Sequence, residues 1–455
     1  MLHDTIAAVA TPPGEGGLAV VRISGPEATQ VAGRCFRPAG GRNLGPVEAP
    51  SHTVHYGRIE AWDTVVDEVL LTVLRAPRTF TREDTVEIAC HGGVLVTHRV
   101  LDAVLAAGAR MAQPGEFTRR AFLHGRIDLT QAEAVADLIH ARSELALQSA
   151  REQLAGSLGR RVEAVREGLM LALAHLEAHL DFPDEDIAPD TGEAILARVR
   201  SGLAAVQGLR RGAEQGRILR QGVRAAILGR PNAGKSSLLN LLLGQDRAIV
   251  SPVPGTTRDT IEETVPLAGI PFVLVDTAGL RESTDVVEQE GMRRTRWAAE
   301  RAEVLIHVLD AGEPLAEADR AWLEEFAGRR RVVVANKIDL PVRLTLPGGG
   351  EWTGVSCRTG AGLEELRQRL AGLVLNGRGS GAGDPDQAIN ARHHDALRRA
   401  EEALARCATA LERGEPPDLA ALDLRLGVQA VGEVVGRTTT EDLLDRIFST
   451  FCLGK

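Results

Sequence analysis

Aromatic residues are scarce in this 455-residue chain, at 3% of the sequence, with one tyrosine, four tryptophans and nine phenylalanines. Nucleic-acid readers of the RRM and OB type stack bases on exposed rings, so this scarcity argues against that class. A general attraction to nucleic acid is also excluded, because 62 acidic side chains outnumber 53 basic ones and the net charge is −9. Any contact with RNA must therefore be local.

The chain has few cysteines and no long apolar run. Its five cysteines form no CxxC pair, which argues against a disulfide framework and a thiolate zinc site and favours a reducing cytoplasm. No segment approaches the uncharged run of roughly 18 residues that a membrane span needs, and no secretory leader is evident. We therefore expect a cytoplasmic protein without a membrane segment.

The chain is 44% hydrophobic and 25% charged, which is typical of a globular protein, and its length suggests about three domains. Residues 1–125 alternate short apolar runs with turn residues and predict an α/β domain. Residues 126–218 and 379–455 carry leucines at helical spacing, so a helical bundle is expected in two pieces. Residues 219–378 alternate apolar strands with helices, as in a nucleotide domain inserted into that bundle.

Particular elements follow from the periodicity. One long amphipathic helix is predicted from Leu154 to Leu180, and a second from about Ile195 to Val206. Four continuous apolar runs predict buried parallel strands: Val223–Leu228, Phe272–Val275, Val304–Leu309 and Val332–Ala335.

The clearest motif is a phosphate-binding loop. Residues 229–236 read GRPNAGKS, which matches GxxxxGK[ST] directly after an apolar strand and directly before a helical run. The glycines let backbone amides surround the β-phosphate, and the helix N-terminus favours its negative charge. Lys235 is expected on the β and γ oxygens of the nucleotide, and Ser236 on magnesium.

Two further motifs indicate switch segments. The DTAG sequence places Asp276 near magnesium, and lets the Gly279 amide sense the γ-phosphate. In the TTRD sequence that starts at Thr256, Thr257 is expected to reach magnesium when GTP is bound. Leu280 stands where Ras-like GTPases carry a glutamine that orients water, so another group must orient the water here.

A third motif selects the base. Residues 336–339 read NKID after an apolar strand, and the Asp339 carboxylate can accept two hydrogen bonds that guanine offers and adenine does not. Ser356 and Cys357 end the next strand, where a backbone amide would reach the guanine O6. The complete set of residues expected at the GTP site comprises Asn232, Ala233, Gly234, Lys235, Ser236, Ser237, Ser251, Pro252, Val253, Pro254, Gly255, Thr256, Thr257, Asp276, Thr277, Ala278, Gly279, Asn336, Lys337, Ile338, Asp339, Ser356 and Cys357.

Together with TTRD, the apolar Leu280 and the inserted G domain, the terminal sequence FCLGK at 451–455 resembles the tRNA modification GTPase MnmE (TrmE) family over essentially the whole chain. The resemblance implies an N-terminal α/β tetrahydrofolate-binding-like domain, a helical bundle domain and an inserted Ras-like P-loop G domain, an α/β plus all-α fold. Such proteins form homodimers through the N-terminal domain. With the FAD-dependent partner MnmG (GidA), they install a carboxymethylaminomethyl group at C5 of the wobble uridine of certain tRNAs.

The same resemblance assigns further sites. It implies binding of 5-formyltetrahydrofolate or a related folate by Arg22, Glu87, Arg126 and Lys455. It implies a potassium site formed by Asn232, Ser251, Val253 and Thr256, together with GTPase activation by G-domain dimerisation. The acidic stretch after Leu280 reads as a solvated loop by itself, and within it Glu288 matches the family's catalytic glutamate. Cys452 is a candidate for the modification chemistry, although a buried thiol and a reactive one look alike in sequence.

Three alternatives stay open at this point. A ribosome-assembly GTPase of the Era or EngA kind shares these motifs but appends a KH-type domain, for which no GxxG clamp can be placed after residue 380. A non-catalytic scaffold would use GTP only as a switch ligand. A one-carbon transferase would place its chemistry in the N-terminal domain and its regulation in the G domain.

Overall fold

The structure of the chain, a computed structural model, describes residues 4–40, 44–181, 191–211, 216–218, 222–245, 262–276, 296–375 and 389–454. The chain divides into two compact units. The first consists of Met1–Ala136, Leu154–Glu177 and Leu424–Lys455, and the second consists of Asp137–Gln153 and Ala178–Asp423. The domain boundaries expected near residues 125, 218 and 378 stay predictions.

A seven-stranded sheet forms the centre of the first unit. Its strands are β1 (Ile6–Val9), β2 (Gly16–Ser24), β3 (Phe36–Pro38), β4 (Thr53–Ala61), β5 (Thr64–Leu74), β6 (Thr85–Gly92) and β7 (Arg110–Met111). They lie in the order β3-β4-β5-β6-β2-β1-β7, and every pair is antiparallel except β1 with β7. Two helices, α1 (Ala28–Cys35) and α2 (Val94–Ala106), share the hydrophobic core of this sheet.

The two faces of this sheet differ in exposure, because side chains alternate along each strand. On the face that contributes to the core, Val21, Leu71 and Ile88 are fully buried. On the other face, Tyr56 and Leu70 lie opposite each other in register and are 44% and 48% exposed. The sheet therefore presents large apolar side chains to its surroundings.

The described ranges contain further helices. They are α3 (Glu116–Leu123), α4 (Leu129–His140), α5 (Glu144–Leu154), α6 (Ser157–Asp181), α7 (Thr191–Arg211), α8 (Lys235–Gln245), α9 (Glu317–Glu325), α10 (Leu363–Leu375), α11 (Ala391–Arg413), α12 (Pro417–Val435) and α13 (Glu441–Phe448). Residues 296–301 are also helical, and Pro347–Gly349 form one 3-10 turn. None of the helices in the described ranges has both the length and the apolar composition to cross a membrane.

The long helix predicted from Leu154 is wrong at its start. Leu154 ends α5, and α6 begins at Ser157. Between them Gly156 has a φ of +82°, a left-handed conformation that glycine adopts easily and that interrupts a right-handed helix. Leucine spacing continues across this turn, so periodicity alone does not reveal the break.

Helical sequence on either side of the nucleotide segment packs together. Helices α7 and α11 run antiparallel, with ion pairs of 2.8 Å between Arg200 and Glu412 and 2.6 Å between Arg210 and Glu401. Buried apolar side chains line both helices, among them Val199 and Val206 on α7 and Leu397 and Leu404 on α11.

A six-stranded sheet lies in the second unit. Its strands are β8 (Val223–Leu228), β9 (Glu262–Leu267), β10 (Ile270–Asp276), β11 (Val304–Asp310), β12 (Arg331–Asn336) and β13 (Thr353–Val355). The order is β13-β12-β11-β8-β10-β9, with only β9 antiparallel to its neighbour. The four apolar runs predicted to be buried parallel strands are confirmed as β8, β10, β11 and β12. The carboxyl ends of the parallel strands therefore meet at one edge.

A buried histidine in this second sheet gives a pH test of the fold. His307 is the only histidine between residues 219 and 378. It is 2% exposed, and burial lowers its pKa from 6.5 to about 4. Protons therefore bind the unfolded chain first as the pH falls, so the stabilisation present above pH 6.5 is lost towards pH 4.

We expect the free energy of unfolding to fall by about 2 kcal/mol between about pH 7 and pH 5 because of this one group. Urea unfolding followed by tryptophan fluorescence measures the change. The His307→Gln variant keeps the carboxylates and lacks the imidazole, so its loss over the same interval should be smaller. An equal loss in both proteins would contradict the assignment.

Candidate nucleotide site

The phosphate loop connects β8 to α8, and its glycines are required by space. A Cβ at Gly229, whose φ is +143°, would lie 2.2 Å from the carbonyl oxygen of Val308. A Cβ at Gly234, whose φ is +98°, would lie 2.0 Å from the Nδ2 atom of Asn336. Any larger residue would displace the neighbouring strands' ends, so the loop must keep glycine at both positions.

Lysine and serine side chains of the motif stand where α8 begins. The Lys235 ammonium donates hydrogen bonds of 2.9 Å to the carbonyl oxygens of Gly229 and Arg230. Ser236 and Ser237 are exposed in the first turn of α8, where backbone N–H groups have no intrahelical acceptor. A helix start with a lysine and two hydroxyls favours a bound phosphate.

One buried amide joins the phosphate loop to the base-recognition motif. Asn336 is 2% exposed, and its Nδ2 group donates to the carbonyl oxygen of Ala233 at 2.9 Å. Its Oδ1 atom accepts a hydrogen bond of 3.2 Å from the backbone amide of Cys357. Three segments far apart in sequence thus meet at a single side chain.

The carboxylate expected to recognise guanine is held by its neighbours. Asp339 accepts a hydrogen bond of 2.7 Å from the Ser356 hydroxyl, and the Arg358 guanidinium lies 3.1 Å from its other oxygen. The Ser356 hydrogen bond, with the charge of Arg358, lowers the pKa of the Asp339 carboxyl. The Asp339 carboxylate is therefore ionised and oriented to accept hydrogen bonds.

The neighbouring thiol is not charged. Burial raises the pKa of the Cys357 thiol to about 11, so this thiol is protonated near neutral pH.

Two residues of this site were not foreseen from sequence. Asp310 accepts a hydrogen bond of 2.6 Å from the Lys337 ammonium, and Arg358 contacts Asp339. Asp310 ends β11, directly in register with Asn336 at the end of β12. A carboxylate at the carboxyl end of a parallel strand was a usable signal for Asp310, whereas nothing in the sequence around Arg358 marks its partner.

Of the remaining predicted G-domain residues, some lie within the described ranges. Asp276 ends β10, in register with Ile227 of β8. Ile338 lies within the NKID turn. Several predicted residues lie outside the described residues, namely Ser251, Pro252, Val253, Pro254, Gly255, Thr256, Thr257, Thr277, Ala278, Gly279 and Glu288, as does Lys455 of the folate set.

Two of the predicted folate residues form an ion pair in the first unit. Arg22 and Glu87 are register partners on β2 and β6, and their side chains meet at 2.8 Å. The carbonyl oxygen of Gly454 accepts a 3.4 Å hydrogen bond from Arg22. The third residue, Arg126, places its guanidinium 5.9 Å from the centre of the Phe80 ring. The structure thus brings Arg22, Glu87 and the C-terminal tail together.

The C-terminal tail is anchored by apolar contacts. Phe451 is 6% exposed and lies 5.4 Å, centre to centre, from the Phe448 ring. The carbonyl oxygen of Cys452 accepts a hydrogen bond of 3.4 Å from the Gly115 amide. The Cys452 residue is exposed to solvent.

A cavity of about 980 Å³ lies elsewhere in the second unit, between α9, α10 and the start of β12. Arg331, Leu346 and Arg369 are among its lining residues. None of its lining residues within the described part of the chain is predicted to bind GTP. In P-loop folds the nucleotide binds at the carboxyl ends of the strands, so the motif geometry and not the cavity size identifies the site.

The chain is similar to known proteins over its full length. Family models match as "GTP-binding protein TrmE N-terminus" over residues 5–126 and "MnmE helical domain" over residues 129–452. The tRNA modification GTPase MnmE of Geobacter metallireducens is 47% identical over 460 residues, covering 100% of each chain. That of Chloroflexus aurantiacus is 48% identical over 460 residues, again covering 100% of each. A crystal structure of Aquifex aeolicus Era bound to GDP and AlF4⁻ is 28% identical, covering 40% of this chain and 66% of that one, with a TM-score of 0.27.

Base recognition by Asp339 can be tested by exchanging its acceptor oxygen for a donor. In Asp339→Asn, the amide no longer matches the guanine N1–H and amino donors but suits the second carbonyl of xanthine. We expect the affinity for GTP to fall by roughly 100-fold and that for xanthosine triphosphate to rise. Competition titration with both nucleotides measures the switch, and undiminished GTP binding in the variant would refute the assignment.

Proposed function

Because the chain belongs to the tRNA modification GTPase MnmE family, it is a GTP-hydrolysing enzyme, and we propose that it modifies the wobble uridine of certain tRNAs in the cytoplasm. We propose that it acts with an FAD-dependent partner, MnmG (GidA), and that their product carries a carboxymethylaminomethyl group at C5. The assignment of the GTP site rests on one observation: the Asn336 side chain is hydrogen-bonded to the phosphate loop and to the Cys357 amide after β13.

Different groups of the chain would bind the phosphates, the base and the magnesium ion of the nucleotide. Amides of the phosphate loop and Lys235 would bind the phosphates, and Asp339 would select guanine. Ser236 and Thr257 would hold Mg²⁺, since hydroxyl oxygens suit this hard cation and Ser236 is exposed at the start of α8. Bound magnesium would neutralise charge that develops on the β and γ oxygens.

Hydrolysis needs a group that orients water, and Leu280 cannot do so. We assign this role to Glu288, which would hold the attacking water in line with the γ-phosphate. The carboxylate of Glu288 and the γ-phosphate are both negative, so a cation would be needed to offset their repulsion. Asn232, Ser251, Val253 and Thr256 would offer oxygens to K⁺, and Asn232 supports this by its exposed position in the phosphate loop with a φ of +63°. Dimerisation of two G domains would complete this arrangement.

The N-terminal sheet supports the proposed folate site and homodimer. The half-buried Arg22–Glu87 pair offers a cation and a carboxylate on one sheet face, which suits a folate that carries both carboxylates and ring N–H donors. The same face exposes Leu18 by 70% and Val54 by 58%, together with Tyr56 and Leu70. Exposed apolar side chains of this size favour association, here between two N-terminal domains.

Glu288 and potassium are tested together by kinetics. Glu288→Ala should lose roughly 100-fold in kcat while keeping its affinity for GTP, because one positioning group is removed and the phosphate loop is intact. Asp285→Ala, in the same acidic stretch, serves as the matched control and should stay within a few-fold of the parent. In addition, the parent should turn over faster in potassium chloride than in sodium chloride of equal ionic strength. Equal rates in the two salts, or a full rate in Glu288→Ala, would sink the respective assignment.

The target is tested by nucleoside analysis of bulk tRNA. A strain that lacks the gene should lose the C5 modification of the wobble uridine, and the full-length gene should restore it. A gene truncated before Phe451 should restore GTPase activity but not the modification, because the tail that contacts Arg22 and exposes Cys452 is gone. Normal tRNA in the deletion strain would disprove the proposed target, and normal tRNA with the truncated gene would show the tail to be dispensable.

A further inference from the structure

The second residue of the phosphate loop, Arg230, is tied to a neighbouring helix. Its Nε group donates a hydrogen bond of 2.6 Å to Asp319 of α9, and a terminal guanidinium nitrogen donates to Glu313 at 3.1 Å. The carbonyl oxygen of the same residue accepts a hydrogen bond of 2.9 Å from the Lys235 ammonium. Arg230 thus links α9, through its side chain, to Lys235, through its backbone.

The two carboxylates on this guanidinium are not equivalent. Asp319 is 4% exposed and lies in the first turn of α9, whereas the Glu313 side chain is 60% exposed. Burial raises the pKa of the Asp319 carboxyl, and the Arg230 guanidinium opposes that rise. A buried carboxylate needs its partner, while an exposed ion pair is screened by water and salt. Asp319 is therefore the residue that fixes the Arg230 side chain.

A neutral histidine forms the inner wall beside Asp319. The Nε2 atom of His307 lies 4.0 Å from the Asp319 carboxylate, and its ring centre is 6.2 Å from that of Trp322 on the same helix. Burial lowers the pKa of His307 to about 4, so the imidazole carries no charge near neutral pH. The cation that is hydrogen-bonded to the Asp319 carboxylate is therefore Arg230, and the charge of Lys235 acts in the same direction.

We propose that Asp319 is a positioning residue for nucleotide binding: by holding Arg230, it fixes the backbone whose carbonyl oxygens hold Lys235 at the phosphate groups. This inference rests on the assignment of the nucleotide phosphates to the loop between β8 and α8. The proposed role explains the arginine between Gly229 and Pro231, in a loop whose other long side chain is Lys235. Its side chain donates a hydrogen bond to Asp319, and its backbone carbonyl oxygen accepts one from Lys235.

The test variant is Asp319→Asn, which keeps the shape of the side chain and removes its charge. We expect the Kd for a fluorescent GDP and the KM for GTP to rise about ten-fold, equivalent to about 1.4 kcal/mol. The kcat at saturating GTP and the number of binding sites per chain should stay within about two-fold of the parent values. Local unfolding would instead lower the number of binding sites per chain, while the remaining sites kept the Kd of the parent.

Glu313→Gln is the matched control, because it removes the exposed carboxylate from the same guanidinium. Its Kd should change by less than about two-fold. Asp319→Glu restores the charge and should recover part of the lost affinity. In a double-mutant cycle, Arg230→Gln should weaken binding by a similar factor, and adding Asp319→Asn to it should weaken binding little further.

An unchanged Kd in Asp319→Asn would overturn the proposal, as would equal effects of Asp319→Asn and Glu313→Gln. If Asp319→Asn does not fold, the double variant Arg230→Gln/Asp319→Asn decides, since it removes both charges of the pair and leaves no buried carboxylate unpaired; an unchanged Kd there overturns the proposal too. Failure of the nucleotide assignment itself looks different. It would appear as undiminished GTP binding in Asp339→Asn, irrespective of the result at Asp319.

Discussion

The two hydrogen bonds of Asn336 are the constraint on which the nucleotide site depends. This buried amide satisfies the Ala233 carbonyl of the phosphate loop and the Cys357 amide of the loop after β13. Without it, the buried Ala233 carbonyl would lose its partner at a cost of about 1–3 kcal/mol, and the partly buried Cys357 amide would lose its acceptor as well. The same side chain also explains Gly234, because a Cβ there would occupy the place of the Asn336 amide nitrogen. The phosphate loop and the NKID motif are therefore one packed unit.

The phosphate loop and the NKID motif can pack together because β8, β11 and β12 are parallel strands. β8, β11 and β12 are neighbours and end at the same edge, so the phosphate loop, Asp310 and the NKID turn leave the sheet side by side. Asp310 and Asn336 stand in register at the ends of their strands. From there Asp310 reaches Lys337, and the next helix, α9, brings Asp319 to Arg230. Each contact joins residues distant in sequence that the strand order makes adjacent.

Much of this arrangement can be predicted from sequence, and the exceptions have a common cause. The strands are recognisable because fully buried strands need continuous apolar runs, and the phosphate loop because its glycines are dictated by backbone geometry. The family resemblance and the fold class are confirmed by the same full-length likeness to known relatives. By contrast, the partners of Arg230, Lys337 and Asp339 are ordinary charged residues, and only the folded chain shows which of many such residues lies within reach. The break at Gly156 was missed because apolar spacing reports the buried face and not the backbone conformation.

The contacts of Asp339 differ in exposure, so its carboxylate can stay oriented while one of its partners is displaced. Asp339 holds its orientation through the Ser356 hydroxyl, which belongs to a fully buried residue, while Arg358 on its other oxygen is 78% exposed. Water screens the exposed guanidinium, so the base that we propose for this site could displace Arg358 from that oxygen at little cost, whereas the buried hydroxyl keeps the carboxylate in place. On the phosphate side, Lys235 donates hydrogen bonds to the backbone carbonyl oxygens of Gly229 and Arg230, which hold its ammonium at the loop. The ion pair between the partly exposed Arg230 and the buried Asp319 lies further from the phosphates, where we propose that it fixes the loop without competing with the nucleotide.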